Sequence, residues 1–111
     1  MGRKGAVPRP VRTTEYAIVF GTRQAERGWQ ALLANQRNRL AEAWDDLVRD
    51  PNAITPTMHP LRGALADIER DGRAHQRRQY ELSGGARIWY FVTERTVVLE
   101  NVHTRHPNQT K

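Results

Sequence analysis

The sequence contains no cysteine in its 111 residues. That excludes a disulfide framework, a thiolate metal site and a cysteine nucleophile. Long apolar runs are missing too, and none approaches the ~20 residues a helix needs to cross a bilayer. Lysine is nearly absent: Lys4 and Lys111 are the only lysines among 18 cationic residues, and the rest are arginine. Arginine binds phosphate through a planar fork that lysine cannot match. Residues 1–14 are basic, but no apolar stretch follows them, so they do not read as a secretory signal. The expectation is a cytoplasmic chain with no membrane partner.

What is present is a single-domain length and an uneven charge. A domain of ~100–150 residues buries roughly two-thirds of its unfolded surface and folds alone. The net charge is +6. Residues 1–14 carry Arg3, Lys4, Arg9 and Arg12 with no acid. Pro and Gly interrupt this segment and it cannot bury apolar area, so it reads as a disordered basic tail ahead of one domain over 15–111. Residues 15–72 carry seven cations and nine acids, whereas residues 73–111 carry seven cations and three acids. In that last third the excess cations sit among apolar residues. This is the arrangement of a folded surface facing a polyanion.

The patterning predicts an α+β domain: an N-terminal strand, a helical hairpin, then an antiparallel β-meander. Glu15 to Gly21 is a short β-forming run, and Thr22 is a plausible helix cap. Ala25, Trp29, Leu32, Leu33, Leu40, Ala43, Trp44, Leu47 and Val48 follow three-and-four spacings. One helix over 22–50 would be ~44 Å long, too long for a domain with a radius of gyration near ~13 Å. A break is therefore expected within Asn35–Arg39, and Asp50-Pro51 ends the second helix. Residues 51–60 hold three prolines and read as a loop. Strands are expected over Leu61–Glu69, Ala74–Leu82, Ala86–Thr93 and Thr96–His103. The turns fall at Asp71-Gly72, Gly84-Gly85 and Glu94-Arg95.

If the last two turns are two-residue hairpins, alternation sorts the late strands into two faces. One carries Arg78, Tyr80, Leu82, Arg87, Trp89, Phe91, Val98, Glu100 and Val102. The other carries Arg77, Gln79, Glu81, Ile88, Tyr90, Val92, Val97, Leu99, Asn101 and His103. The second is more apolar along 86–93 and is the expected seat of the helices. The first mixes cations with aromatics, as a surface for a nucleic-acid strand or a protein partner would. A shift of one residue in either turn exchanges the lists.

The stretch HPLRG, then RRQYELSGGARIWYFVTERTVVLENVHTRHPNQTK, resembles the C-terminal half of RelE/ParE-superfamily toxins. The features are Leu-Arg-Gly after a proline-rich loop, a Tyr-x-Leu strand, a Gly turn, an Arg-Ile-x-Tyr strand, a Val-rich strand and a basic tail. The resemblance spans roughly residues 15–111. It implies a type II toxin–antitoxin component with an antiparallel sheet, two helices on one side and a basic groove on the other. Its nearest branch is the RelE-like mRNA endonucleases, which repress translation by cutting mRNA on the ribosome. The implied chemistry uses no metal and no cofactor: a ribose 2′-hydroxyl attacks the adjacent phosphate, with a base, cations and an acid in attendance.

By position, the resemblance implies that Arg87 contacts the scissile phosphate and that Arg105 is the cation after the last strand. Arg78 and Tyr80 fall at basic positions of the preceding strand. Lys111 replaces a terminal tyrosine. His103 and His106 flank Arg105, and either suits proton transfer near neutral pH. The acid or base is left among a histidine, Tyr80 and Glu100. RNA contacts are expected from Arg62, Arg77, Arg78, Trp89 and Lys111. The plain alternatives are an ion pair of Arg87 with Glu81 or Glu100, and His59 and His75 as polar loop and strand residues. The implied partners are an antitoxin and ribosome-bound mRNA, with DNA reached only through an antitoxin complex. Two other functions stay open: a ParE-type gyrase inhibitor without hydrolytic activity, or an inactive nucleic-acid-binding relative.

Overall fold

The computed structural model describes residues 5–106. Its elements run β1 (Ala17–Phe20), α1 (Arg23–Asn35), α2 (Arg37–Arg49), β2 (Met58–Pro60), β3 (Asp67–Arg70), β4 (Arg73–Gln76), β5 (Arg78–Glu81), β6 (Arg87–Thr93) and β7 (Thr96–His103). A five-stranded sheet has the order β1-β7-β6-β5-β2, and β3 pairs with β4 in a separate hairpin. None of the described helices is long and apolar enough to cross a membrane.

The helical hairpin forms where the apolar pattern and the caps place it. Thr22 has extended dihedrals and its Oγ1 accepts from the Ala25 amide at 3.0 Å. The same hydroxyl donates to the Glu100 carbonyl at 2.7 Å, which ties the start of α1 to β7. The chain breaks at the single residue Gln36. The second helix stops at Asp50, before Pro51. Both helices lie on one side of the sheet. Leu32, Leu40, Ala43 and Leu47 from the helices and Ile88, Tyr90, Val97, Leu99 and Val102 from the strands form one buried cluster.

Gly28 sets how closely α1 approaches β7. A Cβ at this position would lie 2.1 Å from the Val102 carbonyl oxygen and 2.7 Å from the Val102 Cβ. Glycine in a helix normally costs ~1 kcal/mol relative to alanine, so Gly28→Ala would stabilise an isolated α1. In the folded protein the overpacking, ~1–3 kcal/mol or more, outweighs that gain. The variant is expected to unfold at lower urea concentration than the parent. An unchanged midpoint would mean that α1 does not press on Val102.

Three features depart from the sequence reading. The sheet is mixed rather than antiparallel, because β1 runs parallel to β7 with Ile18 opposite Val97. The connection that the parallel pair requires runs through both helices and strands β2 to β6. The proline-rich loop contains an edge strand: β2 pairs with β5, with Pro60 opposite Arg78. Proline is tolerated at an edge because no ladder partner needs its missing N–H. The expected strands Leu61–Glu69 and Ala74–Leu82 are each divided. Residues Gly63–Leu65 form a 3₁₀ turn. At Arg77 the backbone leaves the β3–β4 hairpin, its amide bonding to the Ala66 carbonyl at 2.7 Å and its carbonyl to the Leu61 amide at 2.9 Å.

Residues 5–14 form no helix or strand, with a turn at Thr13-Thr14. Arg9 lies 4.7 Å from the centroid of the Trp44 ring on α2 and pairs with Glu15 at 2.8 Å. The part of the basic-tail reading that concerns residues 1–4 lies outside the described residues.

Candidate active site

Two local irregularities decide which side chains share the sheet face away from the helices, the outer face. The first is the β5–β6 turn. Leu82 donates its amide to the Ala86 carbonyl at 2.8 Å, enclosing the three residues Ser83–Gly85. Gly84 and Gly85 adopt φ of 68° and 82° there. The turn is one residue longer than a two-residue hairpin, so β5 is turned over relative to the expected faces. Arg78 and Tyr80 pair with Tyr90 and Ile88 on the helix side, while Gln79 and Glu81 pair with Trp89 and Arg87. The second is a β-bulge. Trp89 pairs with Asn101 but Tyr90 pairs with Leu99, leaving Glu100 as the extra residue. Beyond it Val102 falls opposite Ile88, and His103 opposite Arg87. The bulge is what moves His103 out of the helix-side list, a common role of bulges near functional sites.

The result is a cluster of Arg77, Arg87, Trp89 and His103. The His103 ring meets Trp89 edge-on at 4.4 Å between centroids. The Arg77 guanidinium lies over the same indole at 5.5 Å. Trp89 itself is only 3% exposed, and its Nε1 donates to Gln79 Oε1 at 2.8 Å. The expectation of a base-contacting Trp89 is therefore corrected. It is the floor on which His103 and Arg77 rest. Arg87 pairs with Glu81 at 3.1 Å, one of the two carboxylates considered for it.

The cluster leaves donors and acceptors unused. Among the described residues, the buried side-chain atoms without a hydrogen-bond partner are Arg77 Nε, Arg87 Nε and His103 Nε2. Buried polar groups are nearly always paired, and each unmade bond costs ~1–3 kcal/mol. All three belong to one cluster. Burial pushes the His103 pKa down, and the charges of Arg87 and Arg77 push it further. Its imidazole is accordingly neutral at pH 7. Burial also works against the charge of Arg77, with Glu100 opposing that effect.

The His103 shift has a consequence for stability. Its folded-state pKa lies below the ordinary 6.5, so in the window between the two the unfolded chain binds more protons. The contribution is present above pH 6.5 and is lost as pH falls below it. His103→Asn should flatten the fall in urea midpoint measured from pH 7 to pH 5. An equally steep fall in the variant would assign the acid sensitivity to other groups.

The remaining candidates are dispersed. Tyr80 is 1% exposed, on the helix side, and donates to Asp46. Burial, reinforced by Asp46, pushes its phenol up to about 12. It is a core residue, and the expectation of a catalytic Tyr80 is corrected. Arg78 is likewise buried on the helix side, donating to the Ala53 carbonyl and to the Tyr90 hydroxyl, so its expected RNA contact is corrected too. Arg62 is exposed on a separate cleft of about 580 Å³ with His59, Leu61 and Gln76. Arg105 is exposed just beyond β7, and His106 follows it against Gly85, whose added Cβ would meet the His106 amide at 2.9 Å. Lys111 lies outside the described residues. Glu100 is 1% exposed and its carboxylate is held by Arg70 from the β3–β4 hairpin.

Sequence reasoning missed Gln79 and Glu81 as outer-face residues and Arg70 as the partner of Glu100. The three-residue turn explains the first two. A contact thirty residues apart in the chain has no local signal. Comparison with protein-family models, curated proteins and solved structures returns no match for this chain.

Proposed function

We propose that this chain is the toxin of a type II toxin–antitoxin pair, a RelE-like endoribonuclease that represses translation by cutting ribosome-bound mRNA at the outer-face cluster. One observation carries the reading: Arg77, Arg87 and His103 converge on one sheet face and leave three buried nitrogens without partners. Two guanidinium groups on one sheet face suit an RNA phosphate. The sequence resemblance to RelE/ParE toxins supports the same assignment, as does the excess of arginine in residues 73–111.

In this reading Arg87 and Arg77 hold the scissile phosphate and stabilise the charge that builds on its oxygens. The neutral imidazole of His103 accepts the 2′-hydroxyl proton. The 2′ oxygen bonds to phosphorus and the bond to the 5′ oxygen breaks. No metal enters the step, and the departing 5′ oxygen takes a proton from an acid in the site or from solvent. The products are a 2′,3′-cyclic phosphate and a 5′-hydroxyl.

The test is radiolabelled translation run beside a DNA-gyrase supercoiling assay on the purified chain. Arrested translation with cut, ribosome-bound mRNA supports the reading. Normal translation with inhibited gyrase would replace it with a ParE-type binder and withdraw the catalytic roles.

A further inference from the structure

Trp89 is not the only aromatic of β6 that carries an imidazole. Phe91 lies two residues along the strand, on the same outer face by alternation and about 7 Å away. His75, from β4, stacks on it at 4.3 Å between centroids with the rings 20° from parallel. His75 and His103 thus stand on successive same-face rings of one strand. The other described histidines are elsewhere: His59 bonds to the Pro60 carbonyl at 3.2 Å in the Arg62 cleft, and His106 lies against Gly85.

His75 also faces an open space. A pocket of about 350 Å³ between the β3–β4 hairpin and the sheet is lined by Arg70, Asp71, Arg73, His75, Phe91 and Glu100. That volume is at the lower end for small-ligand sites, ~300–1,000 Å³, and suits one nucleotide. The charged groups around His75 are Arg70, Asp71, Arg73 and Glu100, two of each sign, with Arg70 and Glu100 paired. The charged groups beside His103 are Arg77 and Arg87. The two imidazoles therefore sit in unlike surroundings, one beside two cations and one in a balanced pocket. Pairs of titratable groups in contrasting environments are how a site divides acid and base roles.

Resting on the RNA-cleaving function proposed above, we infer that His75 is the general acid of the site, opposite His103 as base. His103 takes the 2′-hydroxyl proton as the 2′ oxygen bonds to phosphorus. His75 gives a proton to the 5′ oxygen as the P–O5′ bond breaks. The turnover ends with His103 protonated and His75 neutral, and proton exchange with solvent restores both. The β3–β4 hairpin, docked by the His75–Phe91 stack and the Arg70–Glu100 pair, is then the element that delivers the acid.

A leaving-group substitution tests this. The full-length chain is assayed on ribosome-bound RNA with an ordinary phosphodiester or a 5′-bridging phosphorothiolate at the cleavage site. A thiolate leaves without protonation, so it removes the need for an acid. His75→Ala should slow cleavage of the ordinary RNA by about 100-fold or more and cut the sulfur substrate within about tenfold of the parent. His103→Ala should be slow on both, since the base is still required. The rescue would also show that the His75 variant is folded. A His75→Ala protein that cuts ordinary RNA at the parental rate, or is equally slow on both substrates, overturns the inference while the functional reading stands. A parent chain that cuts neither substrate overturns both.

Discussion

Replacing Arg87 with alanine is expected to lower RNA cleavage by about 100-fold to 1,000-fold, the cost of removing one donor from a developing oxyanion, while the chain stays folded. The fold survives because, among the described residues, the Arg87 side chain bonds to Glu81 alone, at 3.1 Å, with Arg87 15% and Glu81 35% exposed. An ion pair of that exposure contributes ~0–1 kcal/mol, and water replaces the lost partner. Under the proposed function the activity is lost, because Arg87 stands opposite His103 in the β6–β7 ladder. Expression of the variant should no longer inhibit growth, with a urea midpoint close to that of the parent. Undiminished growth inhibition would place the site elsewhere.

Arg77 and Arg78 are neighbours in sequence with opposite roles, and this gives the second large effect. Arg78 is 5% exposed and faces the helices. Its Nε donates to the Tyr90 hydroxyl at 3.3 Å, and that hydroxyl donates to the Pro51 carbonyl at 2.8 Å. Its Nη2 donates to the Ala53 carbonyl. The guanidinium thus fastens the loop after α2 to the sheet. Arg78→Ala removes two charge-assisted hydrogen bonds of ~1.5–3 kcal/mol each, so a loss of at least about 3 kcal/mol is expected in chemical denaturation. Arg77 instead lies over Trp89 on the outer face. Arg77→Ala should leave stability nearly unchanged and weaken binding of single-stranded RNA. The slope of log affinity against log salt should fall by ~0.7, the value of one phosphate contact on a single strand. Equal stability losses in the two variants would mean that the strand faces are assigned wrongly.

That contrast shows where the sequence is legible and where it is not. Local chemistry is: the Thr22 cap, the stop at Asp50-Pro51, and the Asp71-Gly72 turn, where both residues take positive φ. The seat of the helices is legible too, because Ile88, Tyr90, Val97 and Leu99 form a one-sided apolar pattern that no nearby residue contradicts. The site is less so. Arg87 follows from position, but its neighbours depend on a turn one residue longer than Gly84-Gly85 suggests and on the bulge at Glu100. Side-chain direction alternates with every residue, so each irregularity exchanges the faces of everything beyond it. Arg77 and His103 move outward together, and Arg78 and Tyr80 move inward. The short edge strand β2 was hidden for another reason. Three residues ending in proline carry no alternation to detect, and only the pairing of Met58 with Tyr80 makes them a strand.

The most direct measurement is the chemistry of the cut ends. RNA recovered from a translation reaction with the purified chain is analysed for its new termini. The account predicts a 2′,3′-cyclic phosphate on one fragment and a 5′-hydroxyl on the other, with both lost in Arg87→Ala and His103→Ala. Fragments bearing 3′-hydroxyl and 5′-phosphate ends, or intact RNA at every protein concentration, would contradict a site built for 2′-hydroxyl attack.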